Sequence, residues 1–173
     1  ERKRRRKSKG NVRGGGQGDQ EIMAYCSRMR KKLEQMPHEV IHIQGQDGTT
    51  LVGHLLRAEN AQRVVLAMHG WRSSWARDFG AVADFLRKCG CTVLYAEQRG
   101  QGRSGGEYMG FGMIERFDCL EWIRWLNGNG FGTLPIYLAG ISMGAATVLM
   151  AAGFRELPEN VAGGDAEFGA FPC

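Results

Sequence analysis

Long apolar runs are missing from this 173-residue chain, and no stretch reaches the roughly 18 residues that a membrane-spanning helix needs. No signal-peptide core is present either. The five cysteines are an odd number, and their spacing is not typical of a zinc site or a disulfide framework. No His, Cys and Asp cluster has metal-ligand spacing, so neither a metal nor another cofactor is predicted. These absences favour a cytoplasmic protein, with membrane association only if a further segment precedes Glu1.

Basic residues outnumber acidic ones, and the excess comes from one segment near the start of the sequence. The formal net charge is +5, from 23 basic and 18 acidic residues. Seven of the basic residues stand near the start: Arg2, Lys3, Arg4, Arg5, Arg6, Lys7 and Lys9. Taking away these seven and Glu1 leaves 16 basic and 17 acidic residues, so the remainder is almost neutral. A nucleic-acid interface is therefore not predicted. The basic segment is typical of a solvated tail or of contact with an acidic membrane or protein surface.

Two regions differ in composition. Residues 1–19 combine charge with glycine and are predicted to be a disordered tail, whereas residues 20–173 are predicted to form one domain. That domain begins with an apolar stripe of helical period over residues 20–36, which Pro37 ends. Two strand-like runs follow, Glu39–Gln44 and Thr50–Arg57, and the Asp-Gly pair between them favours a hairpin.

The rest of the chain alternates strands and helices. Three apolar runs predict strands that are covered on both faces: Val64–Met68, Cys91–Ala96 and Leu134–Ala139. A helical pattern follows each of them, the first with Phe79, Val82, Ala83 and Leu86 on one face. This order predicts an α/β protein with a mostly parallel sheet, helices on both faces and the hairpin at one edge.

The sequence Gly140-Ile141-Ser142-Met143-Gly144 joins the third apolar strand to an apolar helix. A serine on such a sharp turn has a strained backbone and needs small residues two positions away on either side. The helix that follows directs its first amides at the serine. We therefore predict that Ser142 is a nucleophile; an incidental serine in a glycine-bordered turn is the alternative.

A second motif, His69-Gly70-Trp71, ends the first apolar strand. Because ligands bind beyond the carboxyl ends of parallel strands, this loop and Ser142 should face one crevice. The backbone N–H groups of Trp71 and Met143 are the predicted oxyanion donors. We expect His69 to support the loop with Gly70 and not to act as a base. Trp71 and Trp75 are expected either to line the acyl site or to pack.

A dinucleotide fingerprint also occurs, Gly100-x-Gly102-x-x-Gly105. A nucleotide site requires a helix that opens at the third glycine. Here several residues intervene before the next helical pattern, so we do not predict a nucleotide site.

Together these motifs resemble the N-terminal part of an α/β-hydrolase, over about residues 39–153. The most similar branch holds the serine aminopeptidases, the monoacylglycerol lipases and related esterases. The resemblance includes the loop that begins at Glu97, where the family usually has Asp. It implies a serine hydrolase that cleaves an ester, thioester or amide of a small molecule or peptide through an acyl-enzyme on Ser142.

The resemblance also implies an acid and then a histidine after the nucleophile. All four histidines precede Ser142: His38, His42, His54 and His69. Glycine and charge replace the strand expected near Val161, and Asp165 comes too early to be the acid. The expectation is therefore a C-terminally truncated hydrolase domain, inactive as it stands. The alternative is a non-catalytic binding protein that keeps a relic elbow and contacts an acidic surface through its basic tail.

Overall fold

The computed structural model of the chain describes residues 16–162, and residues 1–15 and 163–173 lie outside the description. The described strands are β1 (Glu39–Gln44), β2 (Thr50–Leu56), β3 (Arg63–Met68), β4 (Cys91–Ala96), β5 (Ile136–Gly140) and β6 (Val161–Ala162). The α-helices are α1 (Gln17–Gln35), α2 (Trp75–Lys88), α3 (Glu115–Leu126) and α4 (Met143–Ala152), and a π-helical turn, Asn127–Phe131, follows α3.

All six described strands belong to one sheet, in the order β1-β2-β4-β3-β5-β6. The hairpin β1–β2 lies at one edge and is antiparallel to β4, whereas β4, β3, β5 and β6 are parallel. The predicted fold class is confirmed. The expectation that no strand forms near Val161 is wrong, because Val161 and Ala162 pair with Ile136 and Tyr137. These two apolar residues suffice for a short parallel strand beside β5.

The core has two layers, one on each face of the sheet. One layer joins α3 and α4 to the strands through Leu66, Leu94, Trp122 and Ile123. The other layer places α2 over Val65, Val93 and Tyr95. Alternate residues of β3 and β4 enter opposite layers, as the period of a strand requires. The apolar character of these strands follows from burial on both faces.

Helix α1 packs against α2 where a glycine allows the two backbones to approach. A Cβ atom at Gly80 would lie 2.8 Å from the amide nitrogen of Arg30. Since α1 begins at Gln17, residues 17–19 are helical and not part of the tail that was predicted to be disordered. None of the helices within residues 16–162 combines the length and apolar character needed to cross a bilayer.

Helix α2 is fixed at both ends by local signals. The Ser74 hydroxyl caps its N-terminus by accepting a hydrogen bond from the Arg77 amide. Gly90, at φ 68°, allows the chain to turn back into β4. The prediction that Val82 shares the buried face is wrong: its side chain is 44% exposed, whereas Phe79 and Leu86 are buried. Val82 lies on the outer side of the helix.

Candidate active site

Ser142 occupies a strained turn between β5 and α4. Its backbone has φ 54° and ψ −115°, a conformation that L-residues other than glycine rarely adopt. Such strain, on the order of 1–3 kcal/mol, persists only where the surrounding structure enforces it. The residue is exposed at the end of the sheet, while Met143 immediately after it is buried. The turn therefore presents the serine hydroxyl at the surface.

Gly140 and Gly144 enforce this turn by contacts that exclude a side chain. A Cβ atom at Gly140 would overlap the Gly144 carbonyl and lie 2.5 Å from the Ala145 amide nitrogen. A Cβ atom at Gly144 would overlap the Met68 carbonyl oxygen and lie 2.6 Å from its carbonyl carbon. The structure therefore explains why both positions of the motif are glycine.

The loop after β3 lies directly against the serine. A Cβ atom at Gly70 would be 3.3 Å from Ser142 Cβ and 3.2 Å from the Ile141 carbonyl oxygen. The Ile141 amide also donates to the Met68 carbonyl over 3.2 Å. The two motifs that the sequence analysis singled out thus meet at the same end of the parallel strands, as expected from the rule for open α/β sheets.

Asp78 holds this loop, a role that no pattern in the sequence predicted. The Gly70 amide donates to Asp78 Oδ2 over 2.7 Å, and the Ser73 hydroxyl donates to Oδ1 of the same carboxylate. The Arg72 amide donates to Gln101 Oε1 over 2.5 Å. The only signal in the sequence was an acid four residues after a capping serine, which is equally typical of an ordinary helix N-terminus.

Two backbone amides beside Ser142 keep their hydrogen-bonding capacity. Within residues 16–162 no acceptor pairs with the N–H of Met143 or with that of Trp71. The Met143 amide is free because it belongs to the first turn of α4, where helical amides have no intrahelical partner. The neighbouring amides of Gly70 and Arg72 are both bound. These two unpaired amides are the ones predicted from the sequence as oxyanion donors.

His69 uses both ring nitrogens within the loop. Nε2 accepts a hydrogen bond from the Gln98 amide over 3.1 Å, and Nδ1 lies 2.7 Å from the Gly70 carbonyl oxygen. Only the neutral Nδ1–H tautomer satisfies both contacts. The ring is 1% exposed, and this burial lowers the pKa of His69 despite the Gly70 carbonyl. His69 thus ties β3 to the loop after β4.

His54, which is buried, and His38, which is half-buried, form a hydrogen-bonded chain with the buried Glu97. His54 Nε2 lies 2.6 Å from Glu97 Oε1, His54 Nδ1 lies 3.0 Å from His38 Nε2, and His38 Nδ1 lies 2.7 Å from the Met36 carbonyl oxygen. Burial opposes ionisation of Glu97, but hydrogen bonds from His54 and the Arg103 amide hold its pKa below the usual value. Both ring nitrogens of each imidazole are therefore engaged in this chain of contacts.

The remaining histidine, His42, is exposed on β1. Four strand spacings separate β1 from β5, which is about 19 Å. Within residues 16–162, therefore, no imidazole is placed to take a proton from Ser142, and no group of His, Cys, Asp and Glu could hold a metal ion. Asp165, the weak candidate for an acid, lies outside the described residues.

The glycine-rich loop after β4 is organised around the Glu97 carboxylate. Glu97 Oε2 accepts a hydrogen bond from the Arg103 amide, and a Cβ atom at Gly102 would lie 2.8 Å from Glu97 Cδ. The next helix begins at Glu115, ten residues after Gly105. Gly102 thus makes room for a carboxylate of the protein itself.

Apolar side chains surround the serine at the surface. Trp71 is 48% exposed, Phe111 60% and Ile141 39%, and the Trp71 and Phe111 rings lie 5.9 Å apart. A Cβ atom at Gly112 would be 3.2 Å from the Thr147 amide nitrogen, so the Phe111 loop rests on α4. Trp75, by contrast, is buried and stacks on His54 at 4.0 Å. Of the two tryptophans, only Trp71 is exposed beside the serine.

Comparisons with known proteins agree with this geometry. More than half of the chain, residues 59–164, matches the family described as serine aminopeptidase, S33. An esterase of Pyrococcus furiosus is 30% identical with a TM-score of 0.63, over 70% of this chain and 48% of its own. The protein Est1E of Butyrivibrio proteoclasticus, determined with ferulic acid bound, is 26% identical with a TM-score of 0.58, over 65% of this chain and 46% of its own.

A third structure, an α/β serine hydrolase homologue from Coxiella burnetii, shares the fold at 24% identity and a TM-score of 0.59, over 69% of this chain and 60% of its own. No curated protein sequence matches the chain. The chain spans about half the length of the Pyrococcus and Butyrivibrio proteins. The resemblance inferred from the motifs is confirmed: the chain belongs to the S33 serine aminopeptidase family of α/β-hydrolases.

Proposed function

We propose that Ser142 is the nucleophile of a serine hydrolase that cleaves an ester, thioester or amide. The observation that carries the proposal is a serine at φ 54° beside two unpaired amides, those of Met143 and Trp71. Ser142 Oγ forms a bond to the acyl carbon, and the carbonyl oxygen takes up negative charge between the two amides. The leaving group departs with a proton, and water then cleaves the acyl-serine bond.

The proton transfers in this scheme need a base. His69, His54 and His38 are bound to other partners through their ring nitrogens, and His42 lies on the far edge of the sheet. A serine hydroxyl without an adjacent base is a weak nucleophile. Hydrolysis by these 173 residues is therefore expected to be slow, and the elbow and oxyanion site are the parts of the machinery that the chain provides.

The surface beside Ser142 favours substrates with an apolar acyl or aryl group. Trp71, Phe111 and Ile141 expose apolar area there, and Arg72 stacks over Trp71 with its guanidinium carbon 4.5 Å from the ring centroid. Apolar walls with a few convergent polar groups are typical of small-molecule sites. We therefore place the hydrophobic part of the substrate against the Trp71 and Phe111 rings.

Incubation of the chain with a fluorophosphonate tests the nucleophile. The expected result is slow phosphonylation of Ser142, found by mass spectrometry, and at least a fivefold faster reaction when imidazole at about 100 mM supplies the missing base. A small base should help because Ser142 is exposed and no acceptor within residues 16–162 occupies the Met143 and Trp71 amides, which we propose as the oxyanion donors.

The controls are Ser142→Ala and Ser73→Ala, of which only the first should abolish labelling. Ser73 is a neighbouring hydroxyl whose hydrogen bond to Asp78 keeps it engaged. Modification of other serines at the same rate as Ser142, or no Ser142 adduct with imidazole present, would contradict the nucleophile assignment.

The second candidate function is a non-catalytic contact with an acidic surface. It is favoured by the exposed apolar residues of α1, since Ile22 is 63%, Met23 73% and Tyr25 45% exposed. They follow in sequence the seven basic residues at positions 2–9. Apolar and basic residues in succession are typical of binding at the interface of an anionic membrane.

Flotation with phosphatidylserine vesicles tests this second function. Binding in 50 mM NaCl is expected to fall at least tenfold when residues 1–9 are deleted, and to be lost in 500 mM NaCl, because each basic residue near the surface contributes about 1 kcal/mol that salt screens. Ile22→Glu should weaken binding, whereas the matched change Val82→Glu on α2 should not. Equal binding to phosphatidylcholine vesicles would contradict an electrostatic contact.

A further inference from the structure

Three non-glycine residues within residues 16–162 have a positive φ, and all three lie around the proposed active site. Ser142 is at 54°, Arg72 at 52° and Phe111 at 49°. Arg72 follows Trp71 in the loop that lies against Ser142, and the Phe111 ring is 5.9 Å from the Trp71 ring. Strained backbone persists only where surrounding contacts enforce it, and it is concentrated at functional sites. The strain at Ser142 presents a nucleophile, and the strain at Phe111 needs a reason of its own.

Phe111 is the residue of the three that is least expected at a positive φ. A bulky side chain rarely adopts this region, because its Cβ atom crowds the neighbouring backbone. Burial of the ring does not offset the strain, since Phe111 is 60% exposed. The loop therefore holds a large apolar ring at the surface, where the ring contributes little to folding.

The Glu115 carboxylate enforces this conformation from inside the protein. Its Oε1 atom accepts a hydrogen bond from the Gly110 amide and its Oε2 atom accepts one from the Gly112 amide, each over 2.7 Å. These two amides stand on either side of Phe111. Glu115 is fully buried in the first turn of α3, where the helix N-terminus favours a carboxylate. Hydrogen bonds from backbone amides to a carboxylate are among the stronger ones, so both neighbours of Phe111 are fixed.

The two glycines of this loop lie against rigid neighbours. A Cβ atom at Gly110 would be 2.9 Å from the Ile114 amide nitrogen. Gly112 has a φ of 99°, and a Cβ atom there would be 3.2 Å from the Thr147 amide nitrogen in α4. Because α4 begins directly after Ser142, backbone contacts connect the Phe111 loop to the helix that follows the nucleophile. The place of the Phe111 ring beside Ser142 is therefore set before any substrate binds.

The Trp71 and Phe111 rings form a corner. Their planes are inclined at 60°, and their centroids are 5.9 Å apart. In such a corner a flat ring can stack on one aromatic face and meet the other ring with its edge, and these are the two arrangements that aromatic pairs prefer. A puckered aliphatic ring has neither the flat face nor the polarised edge. The geometry therefore favours an aryl group over an alkyl group of the same size.

We propose that Phe111 and Trp71 recognise an aryl group of the substrate, and that Glu115 is the positioning residue that holds Phe111 in place. The inference rests on the proposed hydrolase function and narrows the apolar group of its substrate to an aromatic one. Recognition of the ring needs no nucleophile, so it is measurable in a chain whose Ser142 cannot react.

Equilibrium binding to the full chain carrying Ser142→Ala tests the proposal without chemistry. Benzyl alcohol and cyclohexylmethanol, which differ only in the ring, are titrated while NMR follows the Trp71 indole N–H, whose resonance is assigned by its loss in Trp71→Phe. The expected Kd for benzyl alcohol is roughly 1–10 mM. Cyclohexylmethanol should bind at least fivefold more weakly, because it cannot stack.

Two variants of the same chain should reduce this fivefold ratio to about twofold or less. Phe111→Leu removes one of the two rings. Glu115→Gln leaves a single acceptor oxygen for the two amides beside Phe111, so the ring is no longer held in place. The matched controls are Tyr108→Leu, an aromatic residue of the same loop that is 77% exposed, and Glu121→Gln in the same helix, and both should keep the ratio.

Circular dichroism identifies the variants that fold, and if Glu115→Gln does not, Phe111→Leu and its control decide. Equal affinity for the two alcohols, an unchanged ratio in Phe111→Leu, or no shift of the Trp71 resonance would each overturn aryl recognition. An unchanged ratio in folded Glu115→Gln would overturn the positioning role. A preference for benzyl alcohol in a chain whose Ser142 no fluorophosphonate labels would support the aryl site and contradict the nucleophile, so the two failures are distinguishable.

Discussion

Gly144→Ala is expected to destabilise the folded chain by about 3 kcal/mol or more. The added methyl group would overlap the Met68 carbonyl oxygen and lie 2.8 Å from the His69 carbonyl oxygen. Both oxygen atoms belong to the backbone at the end of β3. The overlap can therefore be removed only if α4 moves away from the central sheet. Overpacking of a well-packed core costs about 1–3 kcal/mol even where flexible side chains adjust, and here the neighbours are rigid. Urea denaturation followed by circular dichroism measures the change.

Two further variants make this expectation specific. Gly128→Ala adds the same methyl group where nothing lies within 4 Å, and it should change the free energy of unfolding by no more than about 1 kcal/mol. Ser142→Gly should have the opposite sign to Gly144→Ala, with a gain of about 1 kcal/mol, since glycine adopts φ 54° without strain. If Gly144→Ala and Gly128→Ala unfold at the same urea concentration, the close approach of α4 to β3 is contradicted.

The sequence predicts the elements around Ser142 well because their signals are local. Continuous apolar runs identify β3 and β4, and the bounds of β4 agree with the prediction to the residue. The spacing of Gly140, Ser142 and Gly144 reflects backbone collisions within five residues, so it can be recognised without knowledge of the fold. The same reasoning identified His69 as part of a turn.

Long-range contacts were not predictable in this way. Asp78 is eight residues from the Gly70 amide that it binds, and only the fold shows that a helical acid reaches back to the loop. Glu97 and His54 are 43 residues apart, and no pattern joins them. Val82 was wrongly predicted to be buried, because an apolar residue on a helix is buried only where another element covers its side of the helix.

Arg99 shows how much of the stability near the site depends on such contacts. Its Nε and Nη2 atoms donate to both carboxylate oxygens of Asp118 in α3, over 2.7 and 2.6 Å. Its Nη1 atom donates to Asp47 in the β1–β2 turn over 2.8 Å. The Arg99 side chain is 7% exposed and that of Asp118 3%. Arg99 therefore joins the hairpin, the loop after β4 and α3 in one network, which is buried at Asp118 and reaches the surface at Asp47.

Arg99→Met should lower the free energy of unfolding by about 3–5 kcal/mol at pH 7, because it leaves the Asp118 carboxylate buried without its partner. Asp118→Asn in the same chain should recover part of this loss, because the uncompensated charge is then gone. Arg57→Met is the matched control and should cost less than about 1 kcal/mol, since its pair with Glu39 is about half exposed on both sides.

The pH dependence of the Arg99→Met deficit distinguishes a charge effect from lost packing. Burial raises the pKa of Asp118 although Arg99 opposes the shift, so removal of Arg99 raises it further. When the folded state raises the pKa of a carboxyl group, protonation of that group stabilises the folded protein. This stabilisation is lost as the pH rises through the folded-state pKa. The loss of unfolding free energy caused by Arg99→Met should therefore be complete at pH 7. It should become smaller as the pH falls from the folded-state pKa of Asp118 in the variant towards the folded-state pKa of Asp118 in the wild type. Urea midpoints measured between pH 4 and 8 follow it, and a deficit that stays constant over this range would show that packing, not the Asp118 charge, determines the loss.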